Sequence, residues 1–262
     1  MIRRCFQILA LAMGCISVPD LRAAEKPVFL YSRQFNAVGE TRYQPDGTYS
    51  EVLRRLKSDF VVRVNGDPMS DALLADVGVL LISNPGEKAV GTNPPPHHMT
   101  DSDIVVLARF VERGGGLVVM GNQENHNLEI ERCNRLLDRF GLRFVNRYTD
   151  VKGFDVPTAT PAIGGLRWGF YTGNRVEFDG GHPARPRAFV MNDARPPLNG
   201  SRNEPGCLMA AAQPGRGRVV VVADAGWISN AVLAGQGIGG VTVEGEQNWD
   251  VFLRLSLWLA GR

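Results

Sequence analysis

The chain is poor in cysteine, in histidine and in aromatic residues. Its 262 residues include four cysteines, four histidines and 8% aromatic residues. Cys5 and Cys15 belong to an N-terminal leader described below, so Cys133 and Cys207 are the two that remain. Two cysteines exclude a disulfide-dense scaffold. They either form one disulfide, which needs Cα atoms within about 7 Å, or are two buried apolar side chains.

Charge of one sign is not in excess once the leader is set aside. The whole chain has 29 basic and 27 acidic residues. Without the three arginines and one aspartate of positions 1–24, 26 of each remain. A neutral remainder gives no long-range attraction for nucleic acid or an anionic membrane. We therefore expect no nucleic-acid partner.

Long hydrophobic runs are missing except near the N-terminus. The apolar run 5–18 follows two arginines, is too short for a stable membrane anchor, and is followed by small residues ending at Ala24. This predicts a secretory signal over residues 1–24 and a secreted or periplasmic protein without a transmembrane segment after signal removal. Residues 11–15 loosely resemble a lipobox, which makes lipoprotein anchoring the less favoured alternative.

Residues 25–262 alternate strand and helix patterns. Strands are predicted at 27–32, 60–64, 77–83, 117–120, 142–146, 207–212 and 218–223, and helices at 50–58, 70–75, 100–113, from Asn125 or Asn127 to 140, and 248–260. Continuous apolar runs are typical of strands covered on both faces. The pattern predicts a single α/β domain with an open, mostly parallel sheet, helices on both faces and a C-terminal β-hairpin. Within it, residues 151–206 are rich in Gly, Pro and Arg, and are expected to form short strands and long loops.

One strand-to-turn sequence is the most informative. Glycines 114–116 precede the strand at 117–120, and Gly121, Asn122 and Gln123 follow it. In several α/β hydrolases and amidotransferases this turn carries a Cys or Ser nucleophile. Here it carries amides and lacks both a thiol and a hydroxyl group, which argues against that chemistry.

Three passages resemble the class I glutamine-amidotransferase-like superfamily. They are 110–121 followed by 134–142, 217–224 with Asn230, and the final helix from Asn248. The resemblance covers about residues 27–260 and is to the non-catalytic branch, which includes DUF4350, ThuA-like proteins and a domain of intraflagellar transport proteins. It implies a flavodoxin-like sheet. Catalytic members have a Cys at the turn and a His near the end of the domain; here no His follows His182, so amidotransferase activity is not implied.

Ligands of open α/β sheets bind beyond the carboxyl ends of the strands. That rule selects six candidate ligand-binding residues: Asn36, Asn84, Asn122, Gln123, Trp227 and Asn230. Amides offer paired donors and acceptors, and a Trp offers a stacking face, so this rim suits a carbohydrate. The structural alternative is that residues 122–127 cap the next helix.

Three residues are candidates for catalysis: Glu124, His126 and Asp224. Together they could hold Zn or Mn, but no recognised ligand spacing is present, and we assign neither a metal nor another cofactor. Asp224 could instead bind the backbone amides of the following turn. His97 and His98 lie in a proline-rich loop and are expected to be solvated.

Three functions remain open from the sequence. The first is a secreted module that binds a carbohydrate or a protein partner at the strand ends. The second is a hydrolase or sugar-modifying enzyme that uses Glu124 or Asp224, with or without a metal. The third is a purely structural interaction domain.

Overall fold

Strands and helices alternate along residues 25–262, the part of the chain that the computed structural model describes. The predicted leader, residues 1–24, lies outside the described residues. The strands are β1 (Val28–Ser32), β2 (Val61–Asn65), β3 (Val77–Ser83), β4 (Gly116–Met120), β5 (Leu142–Thr149), β6 (Lys152–Asp155), β7 (Arg167–Phe170), β8 (Gly173–Phe178), β9 (Arg187–Asn192), β10 (Gly206–Ala212) and β11 (Arg218–Val222). The helices are α1 (Ser50–Leu56), α2 (Asp101–Glu112), α3 (Glu131–Leu137), α4 (Asn230–Leu233) and α5 (Asn248–Leu259).

Nine strands form one open sheet in the order β2-β1-β3-β4-β11-β10-β8-β5, with β9 also paired to β10. The first five are parallel neighbours in a flavodoxin-like order. β10 is antiparallel to β11, and β8, β9 and β5 extend the sheet through further antiparallel pairs. The predicted α/β sheet and its C-terminal hairpin are confirmed. β6 and β7 form a separate antiparallel pair.

The start of β4 shows that helices cover both faces of the sheet. A Cβ on Gly115 would meet the Phe110 ring of α2, whereas a Cβ on Gly116 would lie 2.7 Å from the Leu259 carbonyl of α5. Successive residues of an extended chain point to opposite faces. The two glycines therefore allow α2 and α5 to pack closely on opposite sides of the parallel strands.

Two helices illustrate how the sequence determines the packing. Thr100 and Asp103 form the predicted capping box of α2, because each side chain accepts the other residue's backbone N–H. On α5, the Phe252 ring lies 6.0 Å from Phe29 of β1 and 5.8 Å from Trp227, edge-on in both cases. Edge-to-face pairs add about 1 kcal/mol each beyond area burial, so α5 is fixed to the sheet and to the turn after β11.

The helix predicted at 70–75 is wrong. Residues 71–74 form turns, in which Leu74 donates its N–H to the Ser70 carbonyl without a helix continuing from it. A six-residue segment offers too few bonds to offset the cost of helix nucleation.

The cap predicted for the next helix is also wrong. α3 begins at Glu131, and the Glu129 carboxylate accepts the N–H groups of Arg132 and Cys133 at 2.8 and 3.1 Å. The segment 124–127 instead forms a 3₁₀ turn that ends in a left-handed residue, Asn127. The alternative to a binding site was that the Asn residues of this segment cap α3. The structure excludes it, because Glu129 occupies that role.

The segment 151–206 contains β6 to β9 joined by loops, as predicted, and β8 and β9 belong to the main sheet. The sequence left open whether Cys133 and Cys207 form a disulfide. Both are free and buried, Cys133 on α3 and Cys207 on β10. Among residues 25–262 no helix combines the length and apolar composition needed to cross a bilayer.

Candidate functional site

The turn after β4 lies at the carboxyl edge of the parallel strands, between the ends of β3 and β11. Gly121 donates its N–H to the last carbonyl of β11 at 3.0 Å. A Cβ on Gly121 would lie 2.9 Å from the Phe144 ring, so the chain turns here in a space that only glycine fits. This turn brings Asn122 and Gln123, which we call the elbow residues, to the edge where ligands of such sheets bind.

Asn122 is buried, and its amide is fully used by the protein. Its Nδ2 donates to Tyr43 Oη at 3.0 Å, and its Oδ1 accepts from His126 Nδ1 at 2.8 Å. Its backbone N–H donates to Asn84 Oδ1 at 2.9 Å, while Asn84 Nδ2 donates to the His126 carbonyl at 2.9 Å. These bonds form one network, the elbow network, which ties together the loops after β1, β3 and β4.

Three residues that bond the elbow have a strained backbone. Tyr43, Asn84 and Thr172 have φ values of 63°, 45° and 68°. The first two bond Asn122, and Thr172 Oγ1 accepts from Gln123 Nε2 at 2.8 Å. A left-handed backbone costs a non-glycine residue about 1–3 kcal/mol and is an outlier for a β-branched one. Strain of this kind is concentrated at functional sites, where the surroundings hold it in place.

His126 is the half-buried member of the elbow network. Because Asn122 presents its carbonyl oxygen to Nδ1, the ring carries its proton on Nδ1 and leaves a lone pair on Nε2. Burial lowers the pKa of His126, and the positive charges of Arg42 and Arg202 lower it further against the opposing effect of Glu40. The imidazole is therefore neutral near pH 7 and offers one hydrogen-bond acceptor.

Arg202 lies beside the second elbow residue. Its Nε and Nη2 donate to Asp150 Oδ1 at 2.8 and 2.6 Å, and its Nη1 lies 3.4 Å from Gln123 Oε1. The guanidinium also stacks 5.6 Å above the Tyr148 ring. Burial acts to raise the pKa of Asp150, but the hydrogen bonds from Arg202 outweigh it and lower that pKa. The pair is therefore ionised, and Arg202 has a fixed orientation.

Asp224 ends β11 and is completely buried. Its Oδ2 accepts the Tyr171 N–H at 2.6 Å, and its Oδ1 accepts the N–H of Gly226. Burial raises its pKa to about 7, although the backbone hydrogen bonds act to lower it. The interpretation as a turn-binding carboxylate is confirmed. The role as a base stays a prediction, and it would require a rearrangement that exposes this buried group.

Trp227 does not provide the expected stacking face. The side chain is fully buried, with its ring 5.8 Å from both Trp168 and Phe252, and its Nε1 donates to Met120 Sδ at 3.2 Å. Trp168 belongs to β7, so the separate β6–β7 pair covers the position that the sequence places at the rim.

Two of the predicted ligand-binding residues, Asn36 and Asn230, use their side-chain amides to hydrogen-bond neighbouring loops. Asn36 Nδ2 donates to the carbonyls of Ser83 and Asn84 at 2.8 and 3.2 Å. Asn230 Oδ1 accepts the Glu51 N–H at 2.9 Å, and its Nδ2 donates to the Gly47 carbonyl and to Ser50 Oγ at the start of α1. Their amide groups are occupied by the protein and stabilise the loops around the elbow.

The candidates whose side chains the structure describes are not assembled into a group of metal ligands. Among the described side chains, no group of three His, Cys, Asp or Glu residues could hold a metal ion. Glu124 begins the 3₁₀ turn, but its side chain lies outside the part that the structure describes. His97 and His98 are exposed, and His182 lies beside Gly141, on a different part of the surface.

A second polar cluster surrounds Lys152, which is 2% exposed. Five oxygens lie within hydrogen-bond distance of its Nζ and share its three N–H donors: Asn192 Oδ1 (2.8 Å), Asp193 O and Oδ1 (both 2.9 Å), Arg195 O (2.6 Å) and Asn203 Oδ1 (3.1 Å). We call this cluster the Lys152 cage. It fixes the loop 192–203, which includes Arg202, and so it holds one wall of the candidate site from behind.

Sequence reasoning placed Asn84, Asn122 and His126 near the strand ends but missed Thr172 and Arg202. Both lie in or beside loops of the segment 151–206, which has no hydrophobic periodicity. The one local signal was the abundance of arginine in that segment, and an arginine in a loop normally indicates a solvated side chain.

No family model and no curated protein matches the chain. Among solved structures, the fold is similar to that of the mmIFT52 N-terminal domain, with a TM-score of 0.63, 15% identity, and coverage of 90% of this chain and 98% of that one. A putative ThuA-like protein from Bacteroides uniformis has a TM-score of 0.53, 11% identity, and coverage of 88% and 91%. A β-galactosidase from Bacillus circulans has a TM-score of 0.53 and 9% identity, and the match spans 89% of this chain but 31% of the galactosidase. At such identities the likeness establishes a shared fold alone and leaves function to the site.

Proposed function

We propose that this chain is a secreted module without amidotransferase activity that binds a carbohydrate at the elbow. The observation that carries the proposal is the convergence of three strained residues, Tyr43, Asn84 and Thr172, on Asn122 and Gln123. Strain is retained where a fixed geometry serves a ligand. The turn has no nucleophile, so we assign it to binding and not to acyl transfer.

The groups around the elbow suit hydroxyl groups, which both donate and accept. His126 Nε2 accepts, and Arg202 retains N–H donors that Asp150 does not use. Arg42 and Glu40 form a two-bond ion pair at 3.0 and 2.7 Å that is partly exposed. Such a rim offers both hydrogen-bond donors and hydrogen-bond acceptors to a sugar hydroxyl.

A protein partner is the other class of ligand for this edge. Protein interfaces are centred on desolvated apolar and aromatic side chains. The accessible groups described around the elbow, Glu40, Arg42, His126 and Arg202, are all polar. This composition favours a saccharide over a protein.

A second candidate function is a sugar-modifying or hydrolytic enzyme with His126 as general base. It is favoured by the 2.8 Å bond between Asn122 Oδ1 and His126 Nδ1, which fixes the tautomer with a basic Nε2. Asp224 has no part in this version because it is buried.

Thermal unfolding of the purified protein with neutral mono- and oligosaccharides tests the proposal. A ligand at a hundredfold over its dissociation constant should add about 2.7 kcal/mol to the free energy of unfolding. We expect His126→Ala to weaken the shift and His182→Ala, a half-buried histidine elsewhere, to leave it unchanged. Absence of any shift, or equal shifts in both variants, would contradict binding at the elbow.

The same variants separate the two functions. If the protein turns over a bound saccharide and His126→Ala stops turnover while binding persists, the enzymatic version holds. The mass of the protein recovered from the periplasmic or extracellular fraction tests secretion independently, since loss of residues 1–24 is expected.

A further inference from the structure

A surface cleft of about 460 Å³ lies beside the elbow, between the end of β5 and the segment 201–204. Its lining includes Arg147, Tyr148, Arg202 and Glu204. Arg202 belongs to both places, because it also reaches Gln123 at 3.4 Å and Thr172 Oγ1 at 3.5 Å. The cleft has the volume of a small-molecule site and shares Arg202 with the elbow.

Arg202 is ordered before any ligand binds. Asp150 holds its Nε and Nη2, the Tyr148 ring supports its plane, and the loop that carries it is fixed by the Lys152 cage. A guanidinium has five N–H donors in a rigid plane. The Asp150 bonds use two, and long bonds of 3.4 and 3.5 Å to Gln123 and Thr172 use two more. One Nη1 donor is left, and a ligand can reach it at little cost in side-chain entropy.

The charges around the cleft cancel. Arg147 and Arg202 are balanced by Glu204 on the cleft wall and by Asp150 behind Arg202. An acidic ligand would meet the Glu204 carboxylate, while Asp150 offsets the charge of Arg202 from behind, and a basic ligand would meet two guanidinium groups. A neutral ligand with many hydroxyl groups can accept from the arginines and donate to the Glu204 carboxylate.

We propose that this cleft is a subsite for a neutral saccharide ring, bound through the Arg147 and Arg202 donors and the Glu204 acceptor. The inference rests on the proposed function, since the cleft joins the elbow through Arg202, and it specifies both the place and the charge class of the ligand.

The test is calorimetric titration of the full protein with neutral trisaccharides (maltotriose, cellotriose, mannotriose and galactotriose), with trigalacturonate and with a chitosan trimer. We expect at least one neutral trisaccharide to bind, with an affinity that does not change between low and high salt because the ligand has no charge to screen. Arg202→Gln should weaken binding about tenfold, the usual effect of losing a hydrogen bond to a charged group. Arg147→Gln and Glu204→Gln, whose side chains support no other described contact, should weaken it severalfold while the protein remains folded.

Arg143→Gln is the matched control. It lies four residues earlier on β5 and lines a different cleft, with Asp138 as its partner. We expect its affinity to equal that of the unmodified protein.

The outcomes separate the inference from the proposed function. If a neutral trisaccharide binds and His126→Ala weakens it, but Arg147→Gln and Glu204→Gln do not, the elbow site stands and the subsite is overturned. Tighter, salt-sensitive binding of trigalacturonate or of the chitosan trimer overturns the neutral class. If no saccharide binds, both proposals fail.

Discussion

The elbow network and the Lys152 cage are both buried polar clusters, but they differ in what they leave open. In the cage, the Lys152 ammonium lies within hydrogen-bond distance of five oxygens, and Lys152 is 2% exposed. In the elbow network, Asn122 is equally buried, but its partner His126 is half exposed and keeps a lone pair on Nε2. A cluster whose polar groups are all paired within the protein stabilises the fold. A cluster that keeps one accessible and oriented acceptor can also bind a ligand.

Backbone strain distinguishes the two regions in the same way. Tyr43, Asn84 and Thr172 are left-handed and bond the elbow, whereas none of the residues that hold the Lys152 ammonium has a positive φ. The cage is therefore assembled from relaxed backbone. The elbow keeps its geometry at a cost of a few kcal/mol.

Removing the centre of the cage should have the largest effect. Lys152→Met leaves five oxygens without their shared donor, and we expect a loss of about 3 kcal/mol in the free energy of unfolding. Urea denaturation measures it. Lys88→Met, at an exposed lysine, should change stability by about 0.5 kcal/mol or less. Equal losses of unfolding free energy in the two variants would show that the hydrogen bonds of the cage do not stabilise the fold.

Removing the centre of the elbow network should cost less. Asn122→Ala deprives Tyr43 Oη and His126 Nδ1 of their partner, and we expect a loss of about 2 kcal/mol. The exposed Asn125, in the same segment, provides the control Asn125→Ala. A stability unchanged by Asn122→Ala would mean that the network does not hold the loops together.

The two regions should respond to pH with opposite sign. In the elbow region, Asp224 Oδ1 accepts from Asn122 Nδ2 at 3.5 Å. Burial raises the pKa of Asp224 to about 7, so its contribution to stability is present below about pH 4 and is lost as pH rises through 7. Burial acts to raise the pKa of Asp193 in the cage, but hydrogen bonds from Arg195 and Lys152 lower it to about 2. That contribution is present above about pH 4 and is lost as pH falls toward 2.

Urea denaturation across pH 2–9 separates these contributions. Asp224→Asn should flatten the slope between pH 4 and 7, and Asp193→Asn should flatten the slope between pH 4 and 2. Each slope has an upper bound of about 1.4 kcal/mol per pH unit for one proton. Identical pH profiles for the two variants would contradict the assignment of opposite signs.

The smallest effect on stability is expected for His126→Ala. The ring is half exposed, so water can replace it at Asn122 Oδ1, and a loss of about 0.5 kcal/mol is expected. Ligand binding should fall in the same variant. A loss as large as that of Asn122→Ala would place His126 among the purely structural groups.

The sequence was sufficient where contacts are local or where a strand is buried on both faces. The strand at 77–83 follows from one continuous apolar run, and the start of α2 follows from Thr100 and Asp103 alone. The position of the elbow follows from glycines around a buried strand. These features depend on residues close in sequence.

The sequence was insufficient where distant segments decide the environment. Trp227 follows a strand as a rim residue would, but Trp168, 59 positions earlier, belongs to the pair that covers it. Arg202 becomes part of the site through Asp150, 52 positions away. Such pairings depend on how β6 to β9 return to the sheet, and no periodicity in that segment encodes it.

The most direct test of the account is ¹⁵N NMR of the imidazole of His126 and of the ammonium of Lys152, with and without a saturating neutral trisaccharide. His126→Gln assigns the first signal and Lys152→Met the second. We expect His126 to be neutral at pH 7 with its proton on Nδ1, and its Nε2 signal to move on addition of the saccharide while the Lys152 signal stays in place. A proton on Nε2, or a saccharide response at Lys152 with none at His126, would contradict the assignment of the elbow as the binding site.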